Sequence, residues 1–167
     1  MNDVAAGLGQ EVKIVREIEA PRELVWKAWT DPKMLMQWYA PNACTVEVKR
    51  IELEVPGALL LCIRSPEGHE CCCAGKYFEI VAPEKLVFSL AIANSNGDLV
   101  SPVSMGMDPD WPAETKVTLN LESRGTKTVL TLHQTVLESL ARRTGAYPSW
   151  LQMLDRLADL IAGSSAK

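Results

Sequence analysis

Apolar and polar residues alternate from Val12 to Ile18, and just beyond them the period changes: Leu24, Val25, Ala28 and Trp29 recur three and four apart. Side chains on a strand face repeat every two residues and those on a helix face every three to four, so a strand is predicted to feed directly into an amphipathic helix. Pro21 stands where a first helical residue needs no backbone donor. Asp31-Pro32 ends that helix and opens a second short one carrying Met34, Leu35 and Trp38. Strand patterns follow over residues 44–53, 58–64, 70–81, 85–91, 115–121 and 128–134. The separators are turn chemistry, as in Pro56-Gly57, Ser65-Pro66-Glu67-Gly68, Ala82-Pro83-Glu84 and Ser123-Arg124-Gly125. Connections this short join antiparallel neighbours. Val117, Leu119 and Leu121 fall on one face of their strand, and Leu130 and Leu132 on one face of the next, with Thr131 and His133 opposite.

The last periodic segment, about residues 148–162, is the longest helix, with Trp150, Leu154, Leu157 and Ile161 in one stripe and Leu151, Ala158 and Leu160 widening it. Gly163-Ser164-Ser165 is expected to end it. A sheet with one solvated face must bury the other, and this helix is the element long enough to cover it. The predicted architecture is therefore α+β, a curved antiparallel sheet wrapped around the C-terminal helix, within one domain over residues 12–162; residues 1–11 and 163–167 are expected to be flexible. Regularity fails between Ile92 and Glu114, and irregular stretches beyond about 12–15 residues are uncommon in compact domains unless functional or disordered. Met105, Met107 and Trp111 give this stretch a soft apolar lining, the composition of a lid over a cavity.

Composition narrows the function classes. Seventeen basic and twenty-one acidic side chains give a net charge of -4, and no Lys or Arg run could track a phosphate backbone, so nucleic acid is not expected as a partner. No apolar stretch approaches the roughly 20 residues of a membrane span, and residues 1–7 lack both parts of a signal peptide, which predicts a cytoplasmic protein without membrane insertion. Five cysteines, Cys44, Cys62, Cys71, Cys72 and Cys73, are an odd number with three adjacent, a usage that suits reduced thiols.

Candidate chemistry is sparse. His69, Cys71 and Cys73 alternate, so a strand would send all three to one face, a soft donor set for zinc or copper. Zinc-ligand pairs usually come as Cys-x-x-Cys on turns, which is missing, and buried free cysteine is common in cores, so no metal is assigned. His69 and His133 are the only histidines, and no nucleophile elbow, phosphate loop or dinucleotide fingerprint is present; no catalytic residue and no cofactor are assigned. Arg16 shares a strand face with Ile14 and Ile18, where its guanidinium needs a carboxylate or a ligand anion unless the head group reaches water. Five tryptophans against two phenylalanines make the aromatics the better lead. Trp26 and Trp29 read as core packing.

The run Ala20-Pro21-Arg22-Glu23-Leu24-Val25-Trp26 to Thr30-Asp31-Pro32, then Trp38, Pro56-Gly57, Gly75-Lys76-Tyr77-Phe78-Glu79-Ile80, Pro83-Glu84-Lys85-Leu86-Val87-Phe88 and the closing Trp150 helix resembles the AHSA1-like family. That family is named after the activator of Hsp90 ATPase and belongs to the START-like, Bet v 1-like (SRPBCC) superfamily. The resemblance spans about residues 12–162 and implies a helix-grip fold with an apolar cavity between sheet and C-terminal helix. The family commonly has Trp-Trp-Gly-Pro where this chain has Trp38-Tyr39-Ala40-Pro41, a second Gly at Ala58, and a Gly at Ser149. Such departures bear on ligand preference.

On the elements that would border the cavity lie Trp38, Tyr39, Tyr77, Trp111 and Trp150, with Phe88, Leu90, Met105, Met107, Leu119 and Leu154 completing the wall. An indole buries a large area yet keeps one N–H donor, which suits a mostly apolar site with a few orienting polar groups. The expected role is binding a small hydrophobic or amphipathic molecule. The alternative is an enzyme of the cyclase or dehydratase kind, using Arg16, Tyr77 or His133 as a proton shuttle. Regulation of a chaperone ATPase follows from the family name alone. Pairing of two copies through the sheet or its edge is implied by the resemblance, although no residue specifies a homodimer.

Overall fold

β1 (Glu11–Ile18) lies antiparallel to the last strand, β7 (Lys127–Leu137), in a computed structural model that describes residues 10–165. β2 (Thr45–Ile51), β3 (Ala58–Arg64), β4 (Glu70–Val81), β5 (Lys85–Ala93) and β6 (Glu114–Arg124) complete a seven-stranded sheet in the order β1-β7-β6-β5-β4-β3-β2. The two edge strands, consecutive in sequence, are joined by α1 (Arg22–Thr30) and α2 (Pro32–Trp38), and the chain closes with α3 (Glu138–Thr144) and α4 (Ala146–Ser165). This is the expected helix-grip architecture.

Local chemistry sets the joints. Pro21 is the N-cap of α1, one position before the helix, with φ -64° and ψ 150°. Asp31 closes α1 and opens α2: its backbone N–H donates to Lys27 O, and its side chain accepts from the Lys33 N–H at 2.9 Å. β5, β6 and β7 run two to four residues past their expected ends because ladder hydrogen bonds continue where the hydrophobic pattern fades. α3 has no counterpart in the sequence reading. With Leu140 and Ala141 as its buried residues it is too short to display a period, and Gly145, at φ 90°, turns the chain from α3 into α4.

Two expected ends are corrected: Glu11 is in β1, and α4 continues through Gly163 to Ser165. The remaining residues read as flexible, 1–9 and 166–167, lie outside the described residues. Among the described residues, no helix is long and apolar enough to cross a membrane.

Trp150, Leu154, Leu157 and Ile161 on α4 are all buried against the concave face of the sheet. Curvature has visible sources. A Cβ on Gly75 would stand 1.7 Å from Ser89 O, so β4 passes β5 at a distance only glycine allows. The register of the same pair shifts between Tyr77 and Glu79, a bulge that bends the strand.

The cysteines correct the expectation of reduced thiols throughout. Cys62 and Cys72 face each other across β3 and β4, their Cα atoms 4.0 Å apart, and are joined in a disulfide, while Cys44, Cys71 and Cys73 are free. Strand alternation sends Cys72 to the convex face, away from Cys71 and Cys73, and register sets it opposite Cys62; counting cysteines cannot reveal either.

The stretch expected to be irregular is partly ordered. A turn forms where Asn94 Oδ1 accepts from the N–H groups of Asn96 and Asp98, Ala93 bridges to Leu99, and Pro102–Met105 forms a 3₁₀ turn. Arg143 on α3 ties its far end, reaching Asp108 at 3.1 Å and Asp110 at 3.2 Å.

Candidate functional site

Between the concave face and α4 lies a cavity of about 190 Å³. Leu61 and Ile63 of β3, Cys71 and Cys73 of β4, and Leu90 and Ile92 of β5 supply one wall, because odd-numbered residues of β3 and β4 and even-numbered residues of β5 face inward. Ala146, Ser149, Trp150 and Met153 of α4 supply the other. Met107 and Trp111 of the loop reach the mouth, and Tyr39, just past α2, completes the lining. A second void, among Trp29, Tyr39, Leu59, Tyr77 and Phe88, is only about 10 Å³, the scale of a single water at most.

Besides the Ser149 hydroxyl, which donates to Met153 Sδ at 3.7 Å, the polar groups at the site fall into three sets. Trp150 Nε1–H donates to Gln134 Oε1 at 2.9 Å, and Gln134 Nε2 donates to Thr115 Oγ1 at 3.0 Å, a buried chain that holds the indole against the wall. Tyr39 is 5% exposed, and its hydroxyl has no hydrogen-bond partner among the described residues. Burial first, then the proximity of Cys73 and Tyr77, pushes its pKa far above the ordinary phenol value, so it stays a neutral donor. Burial likewise pushes Tyr77 up to about 12. The third set is the thiol pair. Donation from the Cys73 S–H lowers Cys71 to about 7, outweighing its partial burial, while the same interaction and burial hold Cys73 well above the usual thiol range.

Of the eleven residues expected at the cavity, Tyr39, Leu90, Met107, Trp111 and Trp150 line it. Tyr77 and Phe88 border the small second void. Trp38, Leu119 and Leu154 are fully enclosed in the core instead, a correction with a clear cause. The Trp38 indole donates to Ala28 O at 2.9 Å and packs edge-on to Trp29 at 4.7 Å, which turns it inward beneath the helices. Met105 sits on the 3₁₀ turn, 41% exposed and away from the lining. The polar candidates are elsewhere too: Arg16 pairs with Asp155 at 2.6 Å, and His133 pairs with Glu11 at 2.8 Å on the outer face. His69 stands in the turn before β4, apart from the cavity.

Sequence reasoning missed Gln134, Thr115, Cys71 and Cys73 as lining residues. A signal existed for the first two: Gln134 continues the inward row of Leu130 and Leu132, and Thr115 that of Val117 and Leu119, so each is a polar residue in buried phase. A carboxylate, Glu70, lies near the sulfurs of Cys62 and Cys72, but their bond leaves no thiolate there for a metal.

An antiparallel sheet gripping a long helix over an apolar void defines a helix-grip domain of the START-like type. Residues 19–162 match the model of the family described as activator of Hsp90 ATPase homolog 1-like protein, and the chain belongs to that family. Solved structures share the fold at low identity. A protein from Arthrobacter aurescens is 21% identical with a TM-score of 0.79, over 93% of this chain and 87% of the other. One from Mycobacterium smegmatis is 16% identical with a TM-score of 0.77, over 93% of each chain. The AHSA1 protein of Silicibacter pomeroyi is 18% identical with a TM-score of 0.73, over 92% of this chain and 99% of that one. Among curated proteins, none matches the chain.

Proposed function

We propose that this protein binds a small, mostly apolar molecule of single-ring size between the sheet and α4. The observation that carries this reading is the cavity itself, walled by Leu61, Ile63, Leu90, Ile92 and Trp150, with the unpartnered Tyr39 hydroxyl on its lining. An apolar cavity of ~150 Å³ holds benzene, whereas drug-sized ligands occupy ~300–1,000 Å³. At about 190 Å³ the space suits one ring with a short substituent. Burial of apolar area supplies the driving force, and a hydroxyl or carbonyl facing Tyr39 gives the ligand an orientation. Among the described residues, no carboxylate, imidazole, Lys or Arg lines the cavity, so a proton-shuttling cyclase or dehydratase has no acid or base of that kind to use.

Phenol and toluene titrations followed by tryptophan emission test the reading, since Trp111 and Trp150 both line the space. Saturable binding of both is expected, with Ile92→Trp abolishing it by filling the void and Tyr39→Phe weakening phenol while sparing toluene. A wild-type protein that gives no saturable response, or a filled variant that still responds, overturns the proposal.

A further inference from the structure

The cavity mouth concentrates sulfur. Cys71 and Cys73, two residues apart on β4, send both thiols to the cavity side, with Cys71 exposed at the rim and Cys73 half-buried behind it. Both side chains line the same pocket wall. Met107 from the loop and Met153 from α4 bring thioethers to the same lining.

We propose that this rim is a binding site for a soft monovalent d10 cation, copper(I) in a cell, held by the thiolates of Cys71 and Cys73. Thiolate and thioether donors select copper(I), which accepts two or three ligands. Zinc(II) wants four donors, and the imidazole that could have joined the thiols, His69, does not reach the cavity. Copper arrives and remains as copper(I). Each remaining S–H proton leaves to solvent as a Cu–S bond forms, so no oxidant or reductant takes part. The resulting dithiolate carries one net negative charge. Met107 and Met153 are the third ligands on offer. The cation touches the sulfurs at the rim and an aromatic ligand touches Trp111 and Trp150, so this inference stands apart from the apolar-ligand reading.

Anaerobic titration of the intact protein with copper(I) against bathocuproine disulfonate, read by sulfur-to-copper charge transfer, tests it. One copper(I) per chain is expected, weakened by more than about a hundredfold in Cys71→Ser and in Cys73→Ser and unchanged in Cys44→Ser. In the wild type, silver(I) or copper(I) should protect Cys71 and Cys73, and not Cys44, from alkylation mapped by mass spectrometry, a readout that needs no variant to fold. Binding that persists in the Cys71→Ser/Cys73→Ser double variant, that vanishes in Cys62→Ser/Cys72→Ser, or that never outcompetes the chelator overturns the proposal. Toluene titration of the Cys71→Ser/Cys73→Ser variant reports on the apolar-ligand reading separately.

Discussion

Cys71 and Cys73 have the same chemistry and opposite environments. The rim thiol accepts a hydrogen bond that favours its thiolate, while the deeper one donates that bond and is buried. A lowered pKa places the thiolate above about pH 7, and it is lost as pH falls through that value. Iodoacetamide should therefore alkylate Cys71 well ahead of Cys73 at neutral pH, with a rate that rises through about pH 7. Cys73→Ala removes the donor and should move the midpoint up toward the ordinary thiol value of ~8.5, whereas Cys73→Ser keeps a donor and should not. Equal midpoints in the two variants would contradict the assignment. At the same scale, the Trp150 donor that the sequence reading offered to a ligand is already taken by Gln134. The free polar group at the cavity is the Tyr39 hydroxyl, which stands where the family commonly has a second Trp.

Between elements, the decisive link is Arg156. From α4 its guanidinium donates to Ala40 O at 2.6 Å, Pro41 O at 3.2 Å, Cys44 O at 3.4 Å and Gln37 O at 3.3 Å. These carbonyls belong to the end of α2 and the segment leading to β2, including the residues just after Tyr39, so one side chain holds the cavity's lower rim to the helix that forms its wall. Hydrogen bonds to charged groups contribute roughly 1.5–3 kcal/mol, and Arg156→Met should lower stability by about that amount in a urea titration. Tyr39 would lose its fixed position as well, so phenol affinity should fall with stability; an unchanged urea midpoint would show that the carbonyls are satisfied without it. The elements themselves were largely legible. Residues 58–64 and 70–81 form strands over the expected spans because their alternation and bounding turns are local signals. α3 was not, since seven residues with two buried positions carry no readable period.

Over the whole molecule, the loop carrying Met107 and Trp111 lines the cavity and is tied to α3. Arg143 pairs with Asp108 and Asp110 at the surface, and donation from the Asp110 backbone N–H, then from the Arg143 side chain, lowers the Asp108 pKa. Exposed pairs of this kind weaken with salt. Arg143→Ala should therefore speed association of toluene in stopped-flow fluorescence, raised ionic strength should speed it in the wild type but not in the variant, and equilibrium stability should change little. A variant with wild-type entry kinetics would remove the loop from any gating role. The order of the strands and of every helix but α3, the inward faces of β6 and β7, the α4 stripe and the antiparallel connections were all determined by the sequence alone, because each depends on residues near one another in the chain. Which apolar side chains fill the core and which border a void was decided only by tertiary structure. Trp38, Leu119 and Leu154 look no different in sequence from Leu90, Met107 and Trp150, and they part company because sheet curvature, set by the Gly75–Ser89 approach and the bulge after Tyr77, leaves space at one end of α4 and none at the other. The Cys62–Cys72 bond, the Arg156 clamp and the facing of Cys71 and Cys73 into the cavity have the same origin: each joins or aims residues through strand register and helix placement, which local patterns do not encode.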